Sequence, residues 1–186
     1  MGNIRLYGST SGYTEIAPPA VGLNNTLTLP TDSLQSGLVL ITTQAFSAVS
    51  AVAINSCFTS TYDNYRIVAR LKGSTASQAL TWRFRAAGAD IYTASYYYNR
   101  GGTYTNSAGY AVLGVIGDAS NWGVWTADMN FATPQSLVAL SGAYTNGNVS
   151  QELCSLSYNG ATPDGFDAYP STGNMTGTIS IYGYRN

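Results

Sequence analysis

The sequence predicts an all-β protein, an antiparallel jelly roll or β-sandwich with an extended N-terminal arm. Apolar and polar residues alternate through most of the chain, Gly- and Asn-rich turn signals recur at short intervals, and charge is scarce. Only 9% of the 186 residues are charged, against 12% aromatic, with 20 Gly and 15 Tyr. Ordinary domains carry about 25% charged residues. A surface so depleted is made of Ser, Thr, Asn, Gly and Tyr or is covered by other chains, and uncharged, tyrosine-rich faces suit subunit contacts. The length allows one well-buried domain and an arm, not two substantial cores.

The arm, residues 1–35, comes first. Strand-like pieces at Ile4 to Tyr7 and Thr26 to Leu29 are interrupted by Gly8, Gly12, Pro18, Pro19 and Gly22. Its apolar residues Ile4, Leu6, Leu27 and Leu29 are candidate anchors, too few for a core, so the arm is expected to gain order by lying on another surface.

The body, residues 36–186, opens with a strand at Gly37 to Thr43. Ala45 to Asn55 is ambiguous: Phe46, Val49 and Val52 recur at helical spacing, whereas Val52 and Ile54 alternate, and a strand leading into Phe58 is the favoured reading. Tyr65, Ile67, Ala69 and Leu71 then alternate with Arg66, Arg70 and Lys72, and Leu80, Trp82, Phe84 and Ala86 with Thr81, Arg83 and Arg85. The polar stretch Gly73 to Ser77 between them predicts a β-hairpin with one buried face. Further strands are expected at Tyr92 to Tyr98, Tyr110 to Ile116, Gly123 to Phe131, Ser136 to Tyr144, Val149 to Tyr158 and Gly177 to Tyr184. Trp125, Ala127, Met129 and Phe131 share a face, as do Ile179 and Ile181. Turn signals fall at Gly101-Gly102, Gly117-Asp118, Asn146-Gly147, Asn159-Gly160 and Pro163-Asp164-Gly165, and short strands so punctuated read as a sandwich or jelly roll.

Chemistry is thinly represented, and no enzyme and no cofactor are expected. Histidine, the commonest general base and metal ligand, is absent. Asp63, Asp90, Asp118, Asp128, Glu152, Asp164 and Asp167 are the acids open to a two-carboxylate mechanism, and no spacing selects a pair. Pro163-Asp164-Gly165-Phe166-Asp167 lacks the alternating ligands of a calcium loop and reads as a turn. Cys57 and Cys154, without partners at metal-ligand spacing, read as small buried apolar residues, a disulfide being the alternative.

A net charge of −1 gives the whole chain no electrostatic reason to bind nucleic acid or an anionic membrane. Five of the eight basic residues are concentrated here, Arg66, Arg70 and Lys72 sharing one strand face and Arg83 and Arg85 another, and they read as a solvated or subunit-facing sheet surface rather than a nucleic-acid groove. No apolar run reaches transmembrane length and the N-terminus lacks a signal pattern, so arrival by assembly rather than secretion is expected, and the Asn-x-Ser/Thr triplets read as loop composition. Tyr96, Tyr97 and Tyr98 are candidate interface residues. Exposed aromatics also stack on sugars, but on a strand Tyr97 faces away from Tyr96 and Tyr98, so core and subunit contact are favoured over a glycan platform.

One run carries more than composition. Phe58-Thr59-Ser60-Thr61-Tyr62-Asp63-Asn64-Tyr65-Arg66-Ile67, continuing to Leu71, with Leu80 to Gly88 after it, resembles a module of tailed-bacteriophage virion surface proteins: tail-fibre parts, minor tail proteins and small capsid-decorating proteins. Gly2-Asn3-Ile4-Arg5-Leu6-Tyr7-Gly8-Ser9-Thr10-Ser11-Gly12 with Asn25-Thr26-Leu27-Thr28-Leu29-Pro30, and the closing Gly177-Thr178-Ile179-Ser180-Ile181-Tyr182-Gly183-Tyr184, are similar to segments of the same proteins. The resemblance implies a homotrimer on the virion exterior that contacts the major capsid protein or other virion proteins. Two roles follow from it. One is a decoration (cement) protein that stabilises the shell; the alternative is a tail-fibre tip that binds the bacterial surface, with a host glycan as partner. The chain's shortness, with neither heptads nor a long repeat, favours decoration.

Overall fold

The computed structural model describes residues 4–7, 13–16, 37–75, 78–93, 95–100, 102–131, 135–145 and 149–184. The chain divides into two compact units, Met1–Leu34 and Gln35–Asn186. In the first, β1 (Ile4–Tyr7) pairs antiparallel with β2 (Tyr13–Ile16), setting Ile4 opposite Ile16 and Tyr7 opposite Tyr13. Ile4 and Leu6 lie on β1, whereas the candidate anchors Leu27 and Leu29 fall outside the described residues.

The second unit is all-β and antiparallel among its described strands: β3 (Leu38–Val49), β4 (Val52–Ile54), β5 (Asn64–Gly73), β6 (Ala79–Ala86), β7 (Ala89–Asp90), β8 (Ser95–Arg100), β9 (Thr103–Ala108), β10 (Ala111–Val115), β11 (Gly123–Asn130), β12 (Gln135–Thr145), β13 (Val149–Asn159), β14 (Gly165–Pro170) and β15 (Met175–Tyr184). The larger sheet has eight strands in the order β3-β15-β5-β11-β12-β13-β8-β9. The smaller runs β10-β6-β14-β4, with β7 paired to the end of β6.

Alternation places the core. Tyr65, Ile67, Ala69 and Leu71 of β5, Trp125, Ala127 and Met129 of β11 and Ile179 and Ile181 of β15 are buried from the larger sheet, and Leu80, Trp82, Phe84, Phe166 and Ala168 from the smaller. Trp82 lies flat on Phe166, centroids 3.8 Å apart, and Phe84 meets Tyr158 edge-on at 4.7 Å, joining the two sheets through one aromatic cluster. The ambiguous stretch from Ala45 is strand: β3 runs on to Val49 and, after Ser50 and Ala51, β4 follows.

The predicted hairpin does not form. β5 lies between β15 and β11 in the larger sheet, and β6 between β10 and β14 in the smaller. Each strand has one apolar face, and setting the strands in opposite sheets turns both faces to a common interior, which an isolated hairpin leaves half-wet. Leaving β5, the Gly73 N–H donates to Gly117 O at 2.5 Å and the Ser74 N–H to Asn174 O at 2.8 Å, so this segment is tied to other loops. The Pro163 to Asp167 turn is a second correction. Gly165–Pro170 is a strand inside the smaller sheet, where Phe166 and Ala168 face the core and Asp167 pairs opposite Arg83. Its brevity, Pro163 shortly before it, Pro170 at its end and its aspartate mask a short central strand.

Candidate functional site

The run from Phe58 to Ile67 builds a joint at the start of β5. The Tyr65 hydroxyl donates to Thr59 O at 2.5 Å and accepts from the Thr59 N–H at 2.7 Å, pinning the loop that precedes the strand. Phe58 packs edge-on against Tyr65 at 5.0 Å and stacks on Phe166 at 5.9 Å. The Tyr62 ring occupies the space over Gly183, where a Cβ would collide with it. Asn130 Nδ2 donates to Asn64 Oδ1 at 2.7 Å. Arg66 grips Asp128 through Nε and Nη2, each at 2.7 Å, and the Tyr184 hydroxyl donates to the same carboxylate at 3.1 Å. These bonds, the Arg66 guanidinium foremost, hold the Asp128 carboxyl below its usual range. Two segments far apart in sequence, Phe58 to Ile67 and Gly177 to Tyr184, thus meet through Tyr62 with Gly183, through Arg66, Asp128 and Tyr184, and through the β5–β15 ladder.

The five clustered basic residues do not form one surface, because Arg66, Arg70 and Lys72 lie on the larger sheet and Arg83 and Arg85 on the smaller. Arg70 covers the Trp122 ring at 3.9 Å, and the Lys72 ammonium lies 5.2 Å from the same ring. Arg83 donates to Asp90 at 2.9 Å, to Gly109 O at 2.6 Å and to the Tyr169 hydroxyl at 2.9 Å, and it lies between the Tyr92 and Tyr169 rings. Arg85 bonds the other oxygen of Asp90 and donates to Asn55 Oδ1 at 2.9 Å. Beside them Asp167 is only 8% exposed, and its Oδ1 has no hydrogen-bond partner. Burial, reinforced by Asp90, lifts the Asp167 carboxyl from 3.8 to about 6 against the pull of Arg85 and Arg83. Sequence spacing gave no hint of this cluster, whose members come from β6, β7 and β14.

The tyrosine triplet alternates as a strand requires, which corrects one candidate. Tyr96 is fully buried, accepts the Phe84 N–H at 2.9 Å and belongs to the core rather than to an interface. Tyr98 packs partly buried against the core, whereas Tyr97 is 48% exposed on the outer face. There Tyr97 sits between Ser157 of β13 and Asn106 of β9, and Asn99 between Ser155 and Tyr104. These side chains line an open groove of about 370 Å³. Tyr104, 85% exposed, and Asn106 come from β9, a strand whose polar sequence Thr103-Tyr104-Thr105-Asn106-Ser107-Ala108 shows no apolar alternation.

Asp164 and Asp118 serve local structure, and the side chain of Glu152 lies outside the described ones. Asp164 accepts the Ala87 N–H at 2.8 Å, steadying the turn in which Ala87 and Gly88 both have positive φ, 50° and 77°. Asp118 accepts the Ser120 and Asn121 N–H groups, each at 2.9 Å. Cys57 and Cys154 are buried and not joined in a disulfide, and burial pushes the Cys57 thiol up to about 12. Among the described residues no three His, Cys, Asp or Glu side chains come together as metal ligands. No protein-family profile, curated protein or solved structure matches the chain.

Proposed function

We propose that this chain is a structural protein of the tailed-bacteriophage virion exterior, a homotrimeric capsid decoration protein that holds neighbouring capsomers together, with residues 1–35 as its anchor. The observation that carries the reading is the joint at the start of β5. Two of the three segments that resemble virion proteins pack on each other there, and their polar groups are engaged in holding backbone and strands together rather than presented to a substrate.

A jelly-roll architecture belongs to the same proposal, and strand order supports it. Of the eight strands β3, β4, β5, β6, β10, β11, β14 and β15, the first pairs with the eighth, the second with the seventh, the third with the sixth and the fourth with the fifth. A long hairpin rolled over on itself gives this pairing. The hairpins β8–β9 and β12–β13 then extend the larger sheet. Trimerisation draws support from the charge-poor surface.

Particles lacking the protein decide between shell and tail. A decoration protein acts through many weak contacts summed over the lattice, so such particles should adsorb normally and lose DNA on heating. Robust particles that fail to adsorb would replace this reading with the fibre-tip one, and light scattering that finds only monomer at every concentration would remove the trimer.

A further inference from the structure

We infer that the outer face formed by β13, β8 and β9 is a binding site for a neutral saccharide. Cross-strand register arranges four side chains as two crossing diagonals: Tyr97 and Tyr104 on one, Asn99 and Asn106 on the other. Diagonal neighbours on adjoining strands lie about 7–8 Å apart, so the two rings take opposite corners of the patch and the two amides the other corners. Ser155 and Ser157 complete the lining on the β13 side. Asn99 is held in place, its Oδ1 accepting the Gly102 N–H at 3.0 Å. Aromatic faces that stack on C–H groups, beside amides and hydroxyls that read hydroxyl groups, are the chemistry a sugar ring requires.

The absence of charge from the lining selects among ligands. Nucleic acid and acidic glycans need cations for their phosphates or carboxylates, and the groove residues Tyr97, Asn99, Tyr104, Asn106, Ser155 and Ser157 supply none. At about 370 Å³ the groove lies at the low end of the range for ligand sites, which suits a short saccharide segment. This inference is independent of the virion reading, since either a shell protein or a fibre tip can carry such a groove.

The test uses the full chain, labelled for NMR and titrated with maltotriose, cellotriose, chitotriose and mannotriose, with sialyllactose as the acidic comparator. At least one neutral trisaccharide should give saturable amide shifts centred on Asn99, Asn106, Ser155 and Ser157. Tyr104→Ala, at a side chain too exposed to affect folding, should weaken that binding roughly tenfold, and Tyr92→Ala, outside the groove, should not. Four silent titrations, an unaffected Tyr104→Ala or equal affinity for sialyllactose would each overturn the proposal. So would shifts at these amides that follow protein concentration alone, because they would mark a contact between copies of the chain. Particle assays do not enter the test, so its failure leaves the virion reading standing.

Discussion

Replacing Asp167 with Asn should change how stability depends on pH. Asp167 faces Arg83 and Arg85 from β6, Asp90 from β7 and Tyr169 from its own strand, yet both guanidinium groups direct their hydrogen bonds to Asp90, Tyr169, Asn55 and backbone carbonyls. Its carboxyl titrates near 3.8 when unfolded and about 6 when folded. Between those values the folded state holds more protons, so the contribution of Asp167 is intact below pH 3.8 and is lost as pH rises through 6. A shift of this size corresponds to about 3 kcal/mol of lost stability at neutral pH. Asparagine keeps the shape and removes the charge. Urea denaturation at pH 7.5 should find Asp167→Asn more stable than the wild type by about 2–3 kcal/mol, the gap closing towards pH 4. Comparing the two proteins at each pH cancels the titration of the other carboxylates. A variant less stable at pH 7.5, or a gap that does not change with pH, would show that the arginines satisfy the Asp167 carboxylate.

Two further substitutions probe the core and the joint. Trp82→Ala, which removes a ring stacked on Phe166 at 3.8 Å, should cost about 3–5 kcal/mol by denaturation, and an unchanged midpoint would mean that the face assignment of β6 is wrong. Tyr65→Phe strips Thr59 of both backbone hydrogen bonds to the hydroxyl and should cost about 1–3 kcal/mol in the same assay; wild-type stability would show that the loop is held by packing alone.

Much of the body was legible because its strands are half-buried. The alternations of Tyr65 to Leu71, Leu80 to Phe84 and Trp125 to Met129 each name the face that the core takes. Pairing was less legible, since alternation says which way a side chain points and not which strand lies alongside: β5 and β6, adjacent in sequence, ended in different sheets. Gly165–Pro170 escaped notice because its turn-forming residues outweighed two inward positions, Phe166 and Ala168. The groove was half visible. Alternation set Tyr97 on the face opposite Tyr96 and Tyr98, but Asn106, Tyr104 and the β13 serines join it only through register, which alternation does not give, and β9 carries no strand signal of its own. The cluster of Arg83, Arg85, Asp90 and Asp167 was hidden for the same reason.

The position of β15 has a consequence for biosynthesis. It lies between β3 and β5, pairing Met175 with both Val49 and Gly73. A chain growing from the ribosome makes β3 and β5 long before the strand that joins them, and until it arrives both keep exposed backbone edges. Closure over such separations is slow, on the order of milliseconds to seconds for domains built from distant pairings. Nascent chains arrested before Met175 should stay protease-sensitive, because β3 joins the rest of its sheet through β15. Unfinished chains, more than finished ones, are therefore the species that must be kept from aggregating.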